Sequence, residues 1–325
     1  MSVTGKDLAD GRSGGGLRRF SGLDSPTPDA FRSPVVTIGM FDGLHRGHRH
    51  VIEHLCALAD RAGGESVVVT FETHPRLVLE GKAPGLLLST EHRLLLLERL
   101  GVDGVVLLPC DEQMRRTTFE TFVRDLLVKR IGVSTLLLGF DSNFGHEGKG
   151  TATTVAPLAA ELDFEIVEAP PISLAGEPIS SSRIREAIRE GDFATASDML
   201  GRTPALYGVV VRGDGRGRTL GFPTANIDLE GELLPPPGVY QVVTTLRGER
   251  RAAVANIGIR PTFLPDGAAG PVVPVLEVYV PGVDFEFYGE RMEVELVRKI
   301  RDERRFPSKE ALVAQIKQDV ASLGS

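Results

Sequence analysis

The chain has 325 residues, 42% hydrophobic and 25% charged, with a formal net charge of −7. These are globular values with room for two domains. They exclude a nucleic-acid binder that works through a basic surface, and no apolar run approaches the length of a membrane span.

Residues 1–33 hold Gly11, Gly14, Gly15 and Gly16 among Ser, Pro and scattered Arg, with no apolar core. That composition predicts a disordered tail rather than a secretory signal, and Asp7, Asp10, Asp24 and Asp29 argue against a targeting peptide. From Val35 onward, short apolar runs alternate with helical patterns. Strands are predicted at Val35–Ile38, Ser66–Phe71, Val105–Leu108, Thr135–Leu138 and Phe164–Val167. Helices are predicted at Arg49–Arg61, Thr90–Leu100, Thr118–Arg130, Val155–Glu161 and Ser182–Glu190. Such alternation builds a parallel sheet covered by helices on both faces, with ligands bound beyond the carboxyl ends of the strands. The two cysteines, Cys56 and Cys110, stand in unrelated contexts. They give neither a disulfide framework nor a zinc ribbon, and a reducing cytoplasm fits.

The first strand runs into Gly39-Met40-Phe41-Asp42-Gly43-Leu44-His45-Arg46-Gly47-His48. A strand that stops at glycine and turns into a helix leaves the first helical N–H groups without partners, and the helix dipole favours an anion there. His45 and His48 can each donate to a phosphate oxygen, while Gly43 and Gly47 let a ligand approach the backbone. Four of the seven histidines fall between positions 45 and 54, which argues for a site without choosing its chemistry. Two other readings fit. His50-Val51-Ile52-Glu53-His54 matches the H-x-x-E-H pattern of inverted zinc peptidases, and a plain surface helix can also carry histidines. The ten-residue stretch resembles the signature of the H-x-G-H nucleotidylyltransferases. In its long form it resembles the FAD synthetase branch of the bifunctional prokaryotic flavin enzymes, an FMN adenylyltransferase module followed by a riboflavin kinase module. That resemblance implies nucleotide binding by Gly39, Phe41, Asp42 and Gly43, and catalytic roles for His45 and His48.

Further segments resemble the same family. Thr70-Phe71-Glu72-Thr73-His74-Pro75 is similar to Thr-Phe-x-Pro-His-Pro, with Thr73 for the first proline; a strand-ending turn fits equally well. Gly139-Phe140-Asp141-Ser142-Asn143-Phe144-Gly145 is similar to a loop in which Ser142 replaces the usual Phe, and it implies nucleotide contact by Asp141. There is no G-x-x-x-x-G-K-[ST] P-loop in the chain. Ile179-Ser180-Ser181-Ser182-Arg183-Ile184-Arg185 offers three hydroxyls at a helix start, with Ser182 as the predicted N-cap, and two forked cations. A capped amphipathic helix would look the same. Its resemblance to Ile-Ser-Ser-Thr-x-Ile-Arg implies nucleotide binding by Ser180, Ser181, Ser182 and Arg183 and catalysis by Arg185.

From Tyr207 the pattern becomes β, with strands at Tyr207–Arg212, Gly238–Leu246, Arg251–Ile257, Val273–Tyr279 and Glu293–Ile300. The spacing predicts a small antiparallel barrel, with a helix from the N-cap Ser308 to Leu323 docking through Leu312, Ile316 and Val320. Arg212 to Arg218 has the wrong glycine spacing for a dinucleotide fold. The next stretch, Gly221-Phe222-Pro223-Thr224-Ala225-Asn226, resembles the riboflavin kinase motif Gly-x-Pro-Thr-Ala-Asn, although a hairpin turn is the plain alternative. The glycine arch of Gly213, Gly217 and Gly221, closed by Pro223, can offer the glycines' N–H groups to ATP phosphates. Thr224 and Asn226 offer hard oxygens to Mg²⁺ from one face of a strand. Glu277 is a carboxylate inside a β pattern, and the resemblance puts the family's catalytic glutamate there. Asn256 to Thr262 and Arg301 to Phe306 also resemble segments near the family's flavin site.

The expected architecture is thus α/β: a tail over 1–33, a Rossmann-like FMN adenylyltransferase domain over 34–203, and an antiparallel β-barrel riboflavin kinase domain with a C-terminal helix over 204–325. The resemblance implies a cytoplasmic transferase that phosphorylates riboflavin with MgATP and then adenylylates FMN to FAD, releasing pyrophosphate. The implied partners are riboflavin, FMN and ATP, with no nucleic acid and no membrane, in a monomer or weak homo-oligomer. Two alternatives stay open: a kinase-only enzyme, given the departures at Thr73, Ser142 and Ser182, or a non-catalytic flavin-binding carrier or regulator.

Overall fold

Val35–Ile38 (β2) is buried at all four positions, as expected of a parallel strand covered on both faces. The computed structural model to which it belongs describes residues 16–23, 25–73, 85–174, 176–213, 215–263, 269–283 and 287–324. The His74-Pro75 part of the Thr70–Pro75 stretch lies outside the described residues. The described residues fall into two compact units. One is drawn from Met1–Met40, Arg49–Lys82 and Leu94–Pro171, the other from Phe41–His48, Ala83–Arg93 and Ile172–Ser325.

The first unit is a parallel sheet of β1 (Arg18–Ser21), β2, β3 (Ser66–Phe71), β4 (Gly104–Leu108), β5 (Thr135–Gly139) and β6 (Glu165–Ala169), in the order β1-β4-β3-β2-β5-β6. The order reverses between β2 and β5, and sheets of this kind bind ligands beyond the carboxyl ends of the strands at that switch point. The helices include α1 (Arg46–Ala62), whose last fourteen residues lie in this unit, and α3 (Ala152–Leu162), with Thr151 and Thr154 forming a capping box. Val36, Val67, Val106, Leu136 and the helix residues Leu127 and Val155 share one core.

Two expectations change here. Residues 18–23 and 25–33 are not a disordered tail: β1 adds to the sheet edge beside β4. Phe20 and Phe31 meet edge to face at 5.1 Å, and Arg18 joins Glu65 at 2.6 Å. Packing of the half-buried Phe20 ring on the buried Phe31 ring outweighs the glycine-rich composition of the tail. The helix predicted at Thr118–Arg130 is an α-turn, Phe119–Thr121, capped by Thr118 and continuing as a π-helix, Phe122–Ile131. Neither Pro nor Gly within that stretch marks the widening.

The second unit carries a two-stranded sheet, β7 (Ser173–Leu174) with β8 (Glu177–Pro178), and is built on a closed barrel, β9 (Ala205–Val211), β10 (Ala225–Leu229), β11 (Gly238–Leu246), β12 (Glu249–Phe263), β13 (Ala269–Tyr279) and β14 (Arg291–Arg301), in the cyclic order β10-β13-β12-β11-β14-β9. Closure leaves no free edge. Leu206, Val210, Tyr240, Val242, Leu276, Val278, Val294 and Leu296 fill the barrel, each aliphatic side chain contributing about 1.5–3 kcal/mol by its removal from water. A second cluster joins Leu87 to α4 (Ser181–Glu190) and α5 (Phe193–Leu200) through Ile184, Ile188, Met199 and Leu200. Ser308 caps the final helix α6 (Lys309–Ala321), accepting from the Ala311 N–H at 3.2 Å. The start of α2 (Thr90–Arg99) also belongs to this unit.

Candidate functional site

Gly39 still donates to the sheet, its N–H reaching the Val69 carbonyl at 3.1 Å. The chain then enters the left-handed region at Phe41, Gly43 and Leu44, with φ of 50°, 86° and 40°. Two bulky residues there cost about 1–3 kcal/mol each, so the surroundings must impose the turn. Asp42 supplies much of that constraint. It is 3% exposed, and its carboxylate accepts from the Leu87 and Leu88 N–H groups at 3.0 and 3.1 Å and from Arg185 Nη2 at 2.5 Å. The Asp42 carbonyl accepts from the Ser181 hydroxyl at 2.8 Å. Arg202 donates to the carbonyls of Leu44 and Gly43 at 3.2 and 2.9 Å. Burial raises the Asp42 pKa; Arg185, the two N–H donors and Arg93 oppose that shift. Burial likewise brings the Arg93 guanidinium down to about 10, against the pull of Asp42.

Arg185 is itself buried, and its Nε donates to the Gly85 carbonyl at 2.9 Å. In this arrangement it holds Asp42 and segment 85–93 together. The N-cap of α4 is Ser180, which accepts from the Arg183 N–H at 3.4 Å, and not Ser182. Ser180 has the extended backbone a cap needs, whereas Ser182 already lies inside the helix. Arg183 donates to the Pro178 carbonyl at 2.7 Å and lies 3.6 Å from Glu177.

His45 caps α1, its Nδ1 accepting from the His48 N–H at 3.2 Å. That acceptor role places the ring proton on Nε2. The His45 and His48 rings stack at 3.7 Å, and Phe41 meets His48 edge-on at 5.4 Å. Burial first, then the neighbouring His45, holds the His48 pKa well below the usual histidine range. His48 is therefore a neutral donor at pH about 7, not a cation. Its Nδ1 is buried without a hydrogen-bond partner among the described residues.

Asp141 is exposed in the first unit, just after β5. Ser142 closes the turn there, its hydroxyl accepting from the Gly139 N–H at 3.0 Å. His50 and His54 lie on α1 with ring centroids 6.3 Å apart. Among the described residues no three His, Cys, Asp or Glu side chains gather to hold a metal.

The barrel carries a cavity of about 780 Å³. Thr224, Asn226 and Glu277 line it together, with Gly217, Phe222, Asn256, Tyr279, Arg301 and Arg304. Backbone register explains the grouping: Glu277 on β13 pairs with Asn226 on β10 and with Asn256 on β12. Two glycines of the arch before β10, Gly213 and Gly217, leave no room for a side chain. A Cβ on Gly213 would lie 2.1 Å from Asn226 Nδ2, and one on Gly217 would lie 2.4 Å from the Phe222 carbonyl oxygen and 3.1 Å from Thr224 Oγ1. The turn closes through Phe222 and Leu220 N–H groups on the Gly217 carbonyl, with Gly221 at φ +83° and Pro223 leading into Thr224. Arg301 is held by Asp319 of α6 through bonds of 2.8 to 3.1 Å.

The pattern of the FAD synthetase family matches residues 27–183, and that of the riboflavin kinase family matches residues 200–324. The bifunctional riboflavin kinase/FMN adenylyltransferase of Escherichia coli is 38% identical over 287 residues, covering 88% of this chain and 90% of that one. Its Pseudomonas fluorescens counterpart is 35% identical over 306 residues, covering 94% and 96%. The chain belongs to the bifunctional riboflavin kinase/FMN adenylyltransferase family. A crystal structure described as a macrolide-efflux protein from Streptococcus pneumoniae shares the fold at a TM-score of 0.77 and 31% identity, over 95% of this chain and 99% of that one. Among the described residues no helix is long and apolar enough to cross a membrane.

Within the family, the two matches divide as the chemistry suggests. The H-x-G-H loop and Ser180–Arg185 overlap the FAD synthetase match, and Gly213–Asn226 and Glu277 fall in the riboflavin kinase match. Sequence reasoning did not find Leu87, Leu88, Arg93 or Arg202, which fix the loop. Backbone donors have no side-chain signature. An arginine inside a leucine-rich helix reads as surface until the structure shows Arg93 to be 1% exposed.

Proposed function

We propose that the barrel transfers the γ-phosphoryl group of ATP to the ribityl hydroxyl of riboflavin, giving FMN. At the H-x-G-H loop the FMN phosphate then attacks the α-phosphorus of ATP, giving FAD and pyrophosphate. The observation that carries the reading is the meeting of Thr224, Asn226 and Glu277 in one cavity beneath a glycine arch. Glu277 orients the attacking hydroxyl and accepts its proton, a modest share of a reaction governed by positioning and charge. Backbone N–H groups of the arch face the ATP phosphates. Thr224 and Asn226 supply hard oxygens suited to Mg²⁺, whose other ligands would be phosphate oxygens and water. When bound, the ion neutralises charge on the phosphates.

At the other site, neutral His48 and the Nε2–H of His45 donate to phosphate oxygens, and the N-terminus of α1 favours the anion. Ser181 and Arg185 are in contact with Asp42, so their part is to hold the loop, with Arg183 and Ser182 nearer to solvent. The functional modules run over 34–203 and 204–325, and the enzyme works in the cytoplasm as a monomer or weak homo-oligomer.

Chromatography of flavins after incubation with riboflavin and MgATP tests the reading. FMN followed by FAD is expected. FMN alone, unchanged when the reaction starts from FMN, would leave a kinase-only enzyme; tightly bound, unchanged riboflavin would make it a carrier.

A further inference from the structure

Glu232 sits between β10 and β11, and three donors converge on it. Its Oε1 accepts from the Ser89 N–H at 2.8 Å and lies 2.9 Å from His92 Nδ1. Its Oε2 accepts from the Tyr207 N–H on β9 at 2.8 Å. His92 is fully buried, and its Nε2 lies 3.3 Å from Glu293 on β14. The backbone adds a further tie, the Leu233 N–H donating to the Leu86 carbonyl at 2.7 Å. Residues 85–93 are thereby fastened to the barrel at several points. The same short segment gives the Leu87 and Leu88 N–H groups to Asp42 and the Gly85 carbonyl to Arg185. Neither Glu232 nor His92 lines the barrel cavity, so the phosphorylation of riboflavin does not explain them.

We propose that Glu232, together with His92, is a positioning residue for FMN adenylylation. Lying in the riboflavin kinase match, it fixes the segment that holds Asp42, and through Asp42 the loop bearing His45 and His48. The inference rests on that loop being the adenylyl-transfer site. Only a carboxylate accepts from all three donors at once. A glutamine turns its amide nitrogen toward one of them, which loosens segment 85–93 while nearly preserving the side chain's shape. Displacement of a catalytic group by about 1 Å can cost on the order of 100-fold in rate.

The test uses the full chain. In Glu232→Gln, kcat for converting FMN to FAD should fall by about 10- to 100-fold, with KM for ATP within about 3-fold and riboflavin phosphorylation unchanged. General destabilisation would instead lower both activities in step with Tm, and that result would overturn the proposal. So would a folded variant with an unaltered ratio of the two activities. Should Glu232→Gln fail to fold, His92→Gln, which leaves the Ser89 and Tyr207 bonds in place, decides on the same ratio. His48→Ala in the same assay separates the two ideas. If it leaves FAD formation intact, the loop assignment fails and takes this inference with it. If it stops FAD formation while Glu232→Gln keeps the ratio, the positioning role alone fails.

Discussion

The barrel cavity and the H-x-G-H loop take their shapes by opposite routes. In the barrel, Asn226, Glu277 and Asn256 are neighbours in register across three adjacent strands. Secondary structure alone brings them together, and Thr224, one residue before β10, lines the same cavity. The loop has no such template. Its shape is imposed on strained residues by Leu87, Leu88, Ser181, Arg185 and Arg202, from segments far apart in the chain. A site built on register tolerates the loss of one functional group without losing its frame. A site built on a buried network loses its frame with the first member removed.

The largest expected effect tests the first half of that contrast. Glu277→Ala should lower riboflavin phosphorylation by on the order of 100- to 10,000-fold and leave conversion of FMN to FAD untouched, with stability nearly unchanged. Kinase turnover at the normal rate would remove Glu277 from the mechanism. Next comes His48→Ala, which removes a neutral donor. FAD formation should drop by on the order of 100- to 1,000-fold while FMN still forms, as read by separating the flavins. If both activities vanish together, the two sites are not separate.

Asp42→Asn sharpens the comparison, because it should damage frame and function at once. It strands Arg185 and Arg93 in a buried place, where breaking an ion pair costs about 3–5 kcal/mol. Denaturant unfolding should show a loss of that order, and FAD formation should fall with it. A folded, fully stable Asp42→Asn protein would mean the loop's frame lies elsewhere.

The same contrast governs how much of the molecule is legible in its sequence. Asn226 and Glu277 are legible because a strand pattern fixes which side chains share a face, and Thr224 because it belongs to the Gly-x-Pro-Thr-Ala-Asn motif. The alternation of strands and helices reveals the parallel sheet for the same reason. β1 escapes detection because a four-residue edge strand with one apolar residue, Phe20, leaves no periodicity. The serine run before α4 offers three candidate caps, and only backbone geometry selects Ser180 over Ser182. His92 lies beside four consecutive leucines, Leu94 to Leu97, where a histidine reads as incidental. Its partners, Glu232 and Glu293, stand 140 and 201 residues away, beyond the reach of any local pattern.

The smallest effect concerns that histidine and depends on pH. Burial tends to lower the His92 pKa, but hydrogen bonds and charge from Glu232 and Glu293 outweigh it, and the net shift is upward. A pKa raised in the folded state means that folding binds a proton more tightly. The resulting stability is fully present below the unfolded value of 6.5 and fades as pH rises through the folded value. The groups facing His92 are Glu232 and Glu293, with the ring of Tyr207 5.1 Å away and Arg291 above that ring. Melting curves taken across this window should show wild-type Tm declining as pH rises, and His92→Gln should flatten that part of the profile. Because segment 85–93 holds the loop and not the barrel cavity, the ratio of FAD to FMN formation should decline over the same pH range in the wild type only. An identical slope in His92→Gln would assign the pH dependence to another group.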